Sequence, residues 1–212
     1  MPVRMDSIMK TLRFGIWIFG FGIWALTPAT ALGQDAAEVR RMFEAGRFQQ
    51  VVQAAGDAAE ADVLYTAAQS HQKLGATDEA RTAYAQLASR GEDDPWHFIG
   101  LSGQQLIDGD TGAAFESAQQ AVALASDLAD AYYQLGLVQA KREDWRAAAE
   151  AFDRASDLNP AMAYAHYYGG LMQYRAGRTD RMAIHFEQFL KLAPQAPERP
   201  EVMQIMRTVR GR

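Results

Sequence analysis

The stretch "EDWRAAAEAFDRASDLNP", residues 143–160, decides the fold. It reads as one amphipathic helix that closes on a proline, with small or aromatic residues at Ala148, Phe152, Ala155 and Pro160. The same spacing recurs at intervals of 34 residues. With Ala129 as position 1 of a unit, Gly136 stands at position 8, Ala148 at 20, Phe152 at 24, Ala155 at 27 and Pro160 at 32. One period downstream the same positions hold Gly170, Met182, Phe186, Phe189 and Pro194. One period upstream they hold Ser102, Ala114, Ala118, Ala121 and Ser126, and two periods upstream Ala68, Ala80, Tyr84, Leu87 and Glu92. Four units follow one another without insertion: 61–94, 95–128, 129–162 and 163–196.

Each unit is expected to hold two helices, near positions 1–14 and 17–30. The turn glycines Gly75, Gly109 and Gly177 separate them, and Thr77, Thr111, Asp144 and Thr179 are expected as N-caps. Asp94-Pro95 reads as an N-cap followed by proline at the first helical position. Positions 8 and 20 are where paired helices cross most closely, hence their small residues. Aromatics at position 24 fill the space between neighbours. A single pair cannot bury its apolar face; stacked pairs make a continuous core.

This pattern resembles the tetratricopeptide repeat (TPR) family, whose unit is a 34-residue helix–turn–helix. The resemblance covers residues 61–196. It implies an all-α fold: a TPR-type α-solenoid of antiparallel helix pairs wound into a right-handed superhelix. A degenerate half-repeat is expected at 34–60, where "FEAGRFQQVV" sets Gly46 and Phe48 like the later turns. Residues 197–212 are expected to form a C-terminal capping helix. There Val202, Ile205, Met206 and Val209 make one apolar stripe, and the helix is placed at 198–210. The competing reading of that segment is a basic partner-binding tail carrying Arg199, Arg207, Arg210 and Arg212.

Residues 1–33 read as a signal peptide. Lys10 and Arg13 precede an uninterrupted apolar run from Phe14 to Leu26, followed by Pro28 and a small-residue segment. The run has 13 residues, short of the ~20 needed to span a bilayer. Cleavage after Ala31 or Gly33 is expected, giving a periplasmic or secreted protein without a membrane span in its mature form. The alternative is an uncleaved anchor.

Composition excludes several classes. The 212-residue chain carries a formal charge of −5, which offers no basic field to nucleic acid. It has no cysteine, and so no disulfide, thiolate metal site or cysteine nucleophile. His71, His97, His166 and His185 fall at unit positions 11, 3, 4 and 23 and form no column. No HExxH, GxSxG or phosphate-loop motif occurs. No catalytic residue, metal or cofactor is expected.

The family resemblance implies that the first helix of each unit lines a concave groove, chiefly through positions 2, 5, 9, 12 and 13. Carried over, these give a partner-binding groove of Tyr65, Gln69, Trp96, Ile99, Tyr133, Leu137, Tyr164, Tyr167, Tyr174 and Arg175. Tyr and Trp suit recognition, being large and rigid with a polar tip. Ordinary packing between helices is the competing reading of each. The Lys and Asn set with which some family members clamp a C-terminal carboxylate is missing, since the only asparagine is Asn159, in a turn. The matching ligand would be a peptide with apolar side chains and a basic residue near Asp62 or Asp130. Tyr133 and Tyr167 are then expected to serve binding more than stability. The expected function is a non-catalytic protein–protein interaction scaffold of the bacterial cell envelope, binding a protein or peptide partner. The rival is an enzyme or enzyme subunit using His71, His166 or acidic residues at the unit boundaries.

Overall fold

The computed structural model describes residues 35–56 and 60–211. The signal-peptide reading, on residues 1–33, lies outside the described residues. Among the described residues all regular structure is helical, in eleven α-helices. They are α1 (Ala36–Glu44), α2 (Phe48–Ala55), α3 (Ala61–Lys73), α4 (Thr77–Ala88), α5 (Pro95–Asp108), α6 (Thr111–Leu124), α7 (Ala129–Lys141), α8 (Trp145–Leu158), α9 (Ala163–Arg175), α10 (Thr179–Leu192) and α11 (Arg199–Arg210). α3 packs on α4, α5 on α6, α7 on α8 and α9 on α10, and each pair packs on the next. The fold is an α-solenoid of antiparallel helix pairs. None of these helices is long and apolar enough to cross a membrane.

One turn geometry repeats through the chain. The N–H donors of Arg47, Ala76, Asp110, Asp144 and Arg178 reach back five residues, to the carbonyls of Met42, His71, Gln105, Gln139 and Gln173, at 2.8–2.9 Å. This is the closure that ends a helix through one left-handed residue. Gly46, Gly75, Gly109 and Gly177 take that conformation at φ 75, 77, 84 and 76°. In the third unit Glu143 takes it, at φ 64°. A side chain there meets the following carbonyl, a clash that glycine avoids. The shared turn also identifies α1–α2 as a helical pair of the same kind, shortened to nine and eight residues.

This closure corrects the expected caps. Thr77, Thr111 and Thr179 are first helical residues, and the flanking positions are Ala76, Asp110 and Arg178. The tight turn brings the Thr77 and Thr111 N–H groups onto the carbonyls of Gly75 and Gly109, at 3.1 and 3.0 Å. The helix therefore begins one residue earlier than a threonine cap would allow. Asp110 supplies the side-chain cap, accepting from Ala113 N–H at 3.0 Å. Asp144 flanks α8 as expected but makes no side-chain capping bond; its carboxylate faces Arg142 at 3.5 Å. Asp94 caps α5 as expected, accepting from Trp96 N–H, with Pro95 at the first position.

The 34-residue register is a packing requirement. Phe152 lies against Gly136 so closely that a Cβ on Gly136 would stand 2.9 Å from its ring. Gly170 and Phe186 repeat the arrangement one unit later. In the second unit Ser102 Oγ donates to the carbonyl of Ala114 at 2.9 Å, joining positions 8 and 20 directly. Tyr84 packs instead on Gly103 of the following unit. Phe152, Phe186 and Tyr84 are all buried. At the C-terminal end α11 lies on α10. Val202 and Met206 are buried and Ile205 and Val209 half-buried. Arg199 donates to the Leu190 carbonyl near the end of α10, at 3.3 Å. That segment is a helix packed on α10, with Arg207 and Arg210 exposed.

Two substitutions test the register. Gly136→Leu should destabilise by ~1–3 kcal/mol or more, because Phe152 has no room to retreat. Glu143→Gly should raise stability, by up to ~1 kcal/mol, by relieving the left-handed residue. Thermal denaturation of both variants checks the pair of opposite signs.

Candidate functional site

The first helices α3, α5, α7 and α9 carry the residues expected to line a groove. Tyr65 is fully buried, with its ring 5.7 Å from Trp96 and 6.2 Å from Tyr84. Its hydroxyl donates to Gln134 Oε1 at 3.0 Å, and Gln134 Nε2 donates to Ser102 Oγ at 3.1 Å. One hydrogen-bond chain thus runs across three units. Tyr133 packs edge-on against Phe152 and Tyr168, at 5.5 and 6.0 Å. Tyr164 and Tyr167 donate to Glu198 and Glu201 at 2.8 and 2.9 Å, tying α9 to the start of α11. Gln69 and Ile99 are buried, and Trp96 and Leu137 half-buried. Tyr174 and Arg175 are exposed. The Arg175 guanidinium sits 4.9 Å over the Trp145 ring, outside the strip that the other residues form.

The α1–α2 pair covers that strip. Arg40 Nη2 donates to Asp130 Oδ1 at 2.7 Å. Glu44 Oε2 accepts the backbone N–H of Tyr164, in the first turn of α9, at 3.0 Å. Phe43 and Phe48 lie 5.0 and 5.9 Å from the Tyr164 ring. The turn between the two helices abuts the 196–198 segment: a Cβ on Gly46 would fall 2.6 Å from Pro197 Cδ. Lys73 closes the far side, 2.8 Å from Glu198 and 4.5 Å from the Tyr164 ring centroid. Burial alone would lower the Lys73 pKa; Tyr168 and Glu198 hold it raised.

The ligand chemistry expected for the groove is therefore supplied by the chain itself. Arg40 is the basic residue at Asp130, and Phe43 and Phe48 are the apolar side chains. Tyr65, Tyr133, Tyr164 and Tyr167 are core residues in this arrangement, at 0, 3, 0 and 6% exposure. For Tyr133 and Tyr167 this corrects the expectation that they stand apart from stability. Sequence reasoning did not single out Arg40, Phe43, Glu44, Tyr168, Glu198 and Glu201. The available signal was "FEAGRF", which marks a turn of the repeat type but not where its flanking side chains dock.

What stays open is a cleft of about 610 Å³ at the first turns of the same helices. Asp62, Trp96 and Asp130 of the position-2 column line it, with Glu60 and Arg40 at its edge. Charged groups of the strip hold helices together: Arg40 with Asp130, Lys73 with Glu198, and Glu44 with the N-terminal turn of α9. Among the described residues no group of three or more His, Asp or Glu side chains is placed to hold a metal ion. His166 and His185, scattered in unit position, meet with Nδ1 atoms 3.3 Å apart, and Asp153 lies 2.8 Å from His185 Nε2. Burial and the nearby His185 lower the His166 pKa. Burial would raise Asp153, but His185, Gln173 and Arg181 hold its pKa below the usual value.

The tetratricopeptide repeat model matches residues 62–90 and 130–161, within the first and third units. Two stretches of this chain resemble tetratricopeptide repeats. Solved structures extend the likeness to most of the helical stack. TTC0263, a thermophilic TPR protein in Thermus thermophilus, is 16% identical with a TM-score of 0.54, over 82% of this chain and 97% of that one. YrrB, a TPR protein with an unusual peptide-binding site, is also 16% identical, with a TM-score of 0.50 over 79% of this chain and 84% of that one. MamA is 23% identical over 68% of this chain and 84% of its own, at a TM-score of 0.48. At these identities the likeness is one of fold. No curated protein matches the chain.

Glu44 makes the closure of the strip pH-dependent. Burial pushes its carboxyl up to about 7, against the counter-pull of Arg40 and the Tyr164 N–H. A carboxyl whose pKa is higher folded than unfolded contributes stability that is full below the unfolded value, near 4.5, and is lost as pH rises through the folded one. The melting temperature should therefore fall between about pH 4.5 and pH 7. Glu44→Gln, which keeps an acceptor for the Tyr164 N–H, should flatten that decline and melt higher than the parent at pH 8.

Proposed function

We propose that this protein is an exported, non-catalytic interaction scaffold of the bacterial cell envelope, taking a peptide or protein partner on the concave side of its repeats. The observation that carries the reading is the strip itself. It holds one helical pair through aromatic contacts and an arginine–aspartate pair, and leaves an acidic, aromatic cleft open beside that pair. A surface that binds α1–α2 in this way is built to recognise helical or extended segments with apolar and basic side chains. Trp96 is the anchor of the open cleft, offering a large half-buried ring that lines it together with Asp62 and Glu60. The peptide-binding site named for YrrB is consistent with such use of this fold.

The export reading rests on the basic, apolar and small-residue layout of the first 33 residues. It places the mature N-terminus at Leu32 or Gln34, and mass spectrometry of the native protein should find one of these. Recovery from the cytoplasm of a chain beginning at Met1 or Met9 would contradict it. For the partner, a photo-crosslinking residue at Trp96 should capture a discrete protein in cells, whereas the same residue at Leu124, exposed on a second helix, should not. Equal capture from both positions, or capture from Leu124 alone, would move the binding site off the concave side.

A further inference from the structure

A second cavity, of about 310 Å³, lies among α8, α9 and α10 and shares no residue with the tyrosine strip. Asp153, Asp157, His166, Arg181 and His185 line it. At its wall the two histidines meet through their Nδ1 atoms, 3.3 Å apart. Their outer nitrogens are both engaged. His166 Nε2 lies 3.3 Å from the Pro160 carbonyl. A carbonyl only accepts, so that nitrogen carries a proton. His185 Nε2 lies 2.8 Å from the Asp153 carboxylate and donates to it. When both rings are neutral, each Nδ1 is then an unprotonated lone pair, and the two stand 3.3 Å apart. A proton taken up by one ring, or a cation bound where the two lone pairs converge to one side of the line between them, relieves that contact.

We propose that His166 and His185 form a two-imidazole binding site for a divalent cation of the zinc, nickel and copper class. The spacing suits it: two imidazole nitrogens bound at about 2.0–2.1 Å to one tetrahedral ion lie roughly 3.3–3.4 Å apart, against the observed 3.3 Å. The surroundings suit it as well. A metal-bound histidine commonly donates its other N–H to a carboxylate or a backbone carbonyl, which fixes the ring and its tautomer. His185 has the first kind of partner and His166 the second. Asp153 is the orienting group rather than a ligand, since it also accepts from Gln173 Nε2 at 3.2 and 3.1 Å and lies 3.6 Å from Arg181. Solvent in the cavity completes the coordination shell. Imidazole ligands without a thiolate select borderline divalent ions rather than soft ones, and the chain has no cysteine.

The test is titration of the full untagged chain with zinc chloride by calorimetry, together with the electron paramagnetic resonance spectrum of the copper(II)-loaded chain. One cation per chain should bind saturably, and the copper spectrum should carry splitting from two imidazole nitrogens. His166→Gln and His185→Gln should each weaken binding at least tenfold. Asp153→Asn should weaken it ~10–100-fold while leaving both ligands in place. His71→Gln, on α3, should bind as the parent does. No saturable binding at one per chain, unchanged affinity in His166→Gln, or a copper spectrum lacking two imidazoles would each overturn the proposal. Should His185→Gln fail to fold, the half-exposed His166 variant and the parent copper spectrum still decide.

Discussion

A ring at position 24 of a repeat must find a residue with almost no side chain opposite it. Phe152 on Gly136 and Phe186 on Gly170 meet that constraint within one unit, and Tyr84 on Gly103 meets it between units. Helices brought this close leave little slack, because interiors are packed to crystal-like density. The 34-residue spacing of these contacts follows from it. So does the crowding of the first helices, which sets Tyr65, Tyr133, Tyr164 and Tyr167 along one side of the stack.

Left bare, such a side would be a large apolar patch, which soluble proteins rarely expose. The α1–α2 pair covers it and brings charge with it. Arg40 and Asp130 are both largely removed from water, at 20 and 11% side-chain exposure. A buried pair of this kind adds little net stability, since desolvation offsets attraction. Removing one partner leaves the other charge stranded, so the pair acts as a register mark for the docking. Glu44 does the same at α9, where a carboxylate meets the positive end of a helix and an N–H with no intrahelical acceptor. Apolar contact holds the pair on the strip, and these polar contacts fix where it sits.

Periodicity made the fold readable because each unit repeats the same physical demand. Gly136, Phe152 and their counterparts are visible at fixed intervals without any knowledge of what surrounds them. Thr77 and Thr111 do not cap because the turn uses the threonine N–H internally, a backbone event with no side-chain signature. Column positions showed which face Tyr133 and Tyr167 take, but not what lies over that face. The cover comes from residues 36–55, whose helices are too short to carry the full pattern. His166 and His185 were likewise invisible as a pair: positions 4 and 23 belong to different helices and meet only where α9 crosses α10.

That the chain's own first helical pair closes the tyrosine strip is measured most directly by native-state hydrogen exchange at the backbone amide of Tyr164. First-turn amides have no intrahelical acceptor and ordinarily exchange fast. With Glu44 seated on α9, the Tyr164 amide should be protected well beyond the equivalent first-turn amides of Asp62 in α3 and Asp130 in α7. Exchange at Tyr164 as fast as at those two positions would mean that the hairpin does not rest on the strip, and would contradict the account.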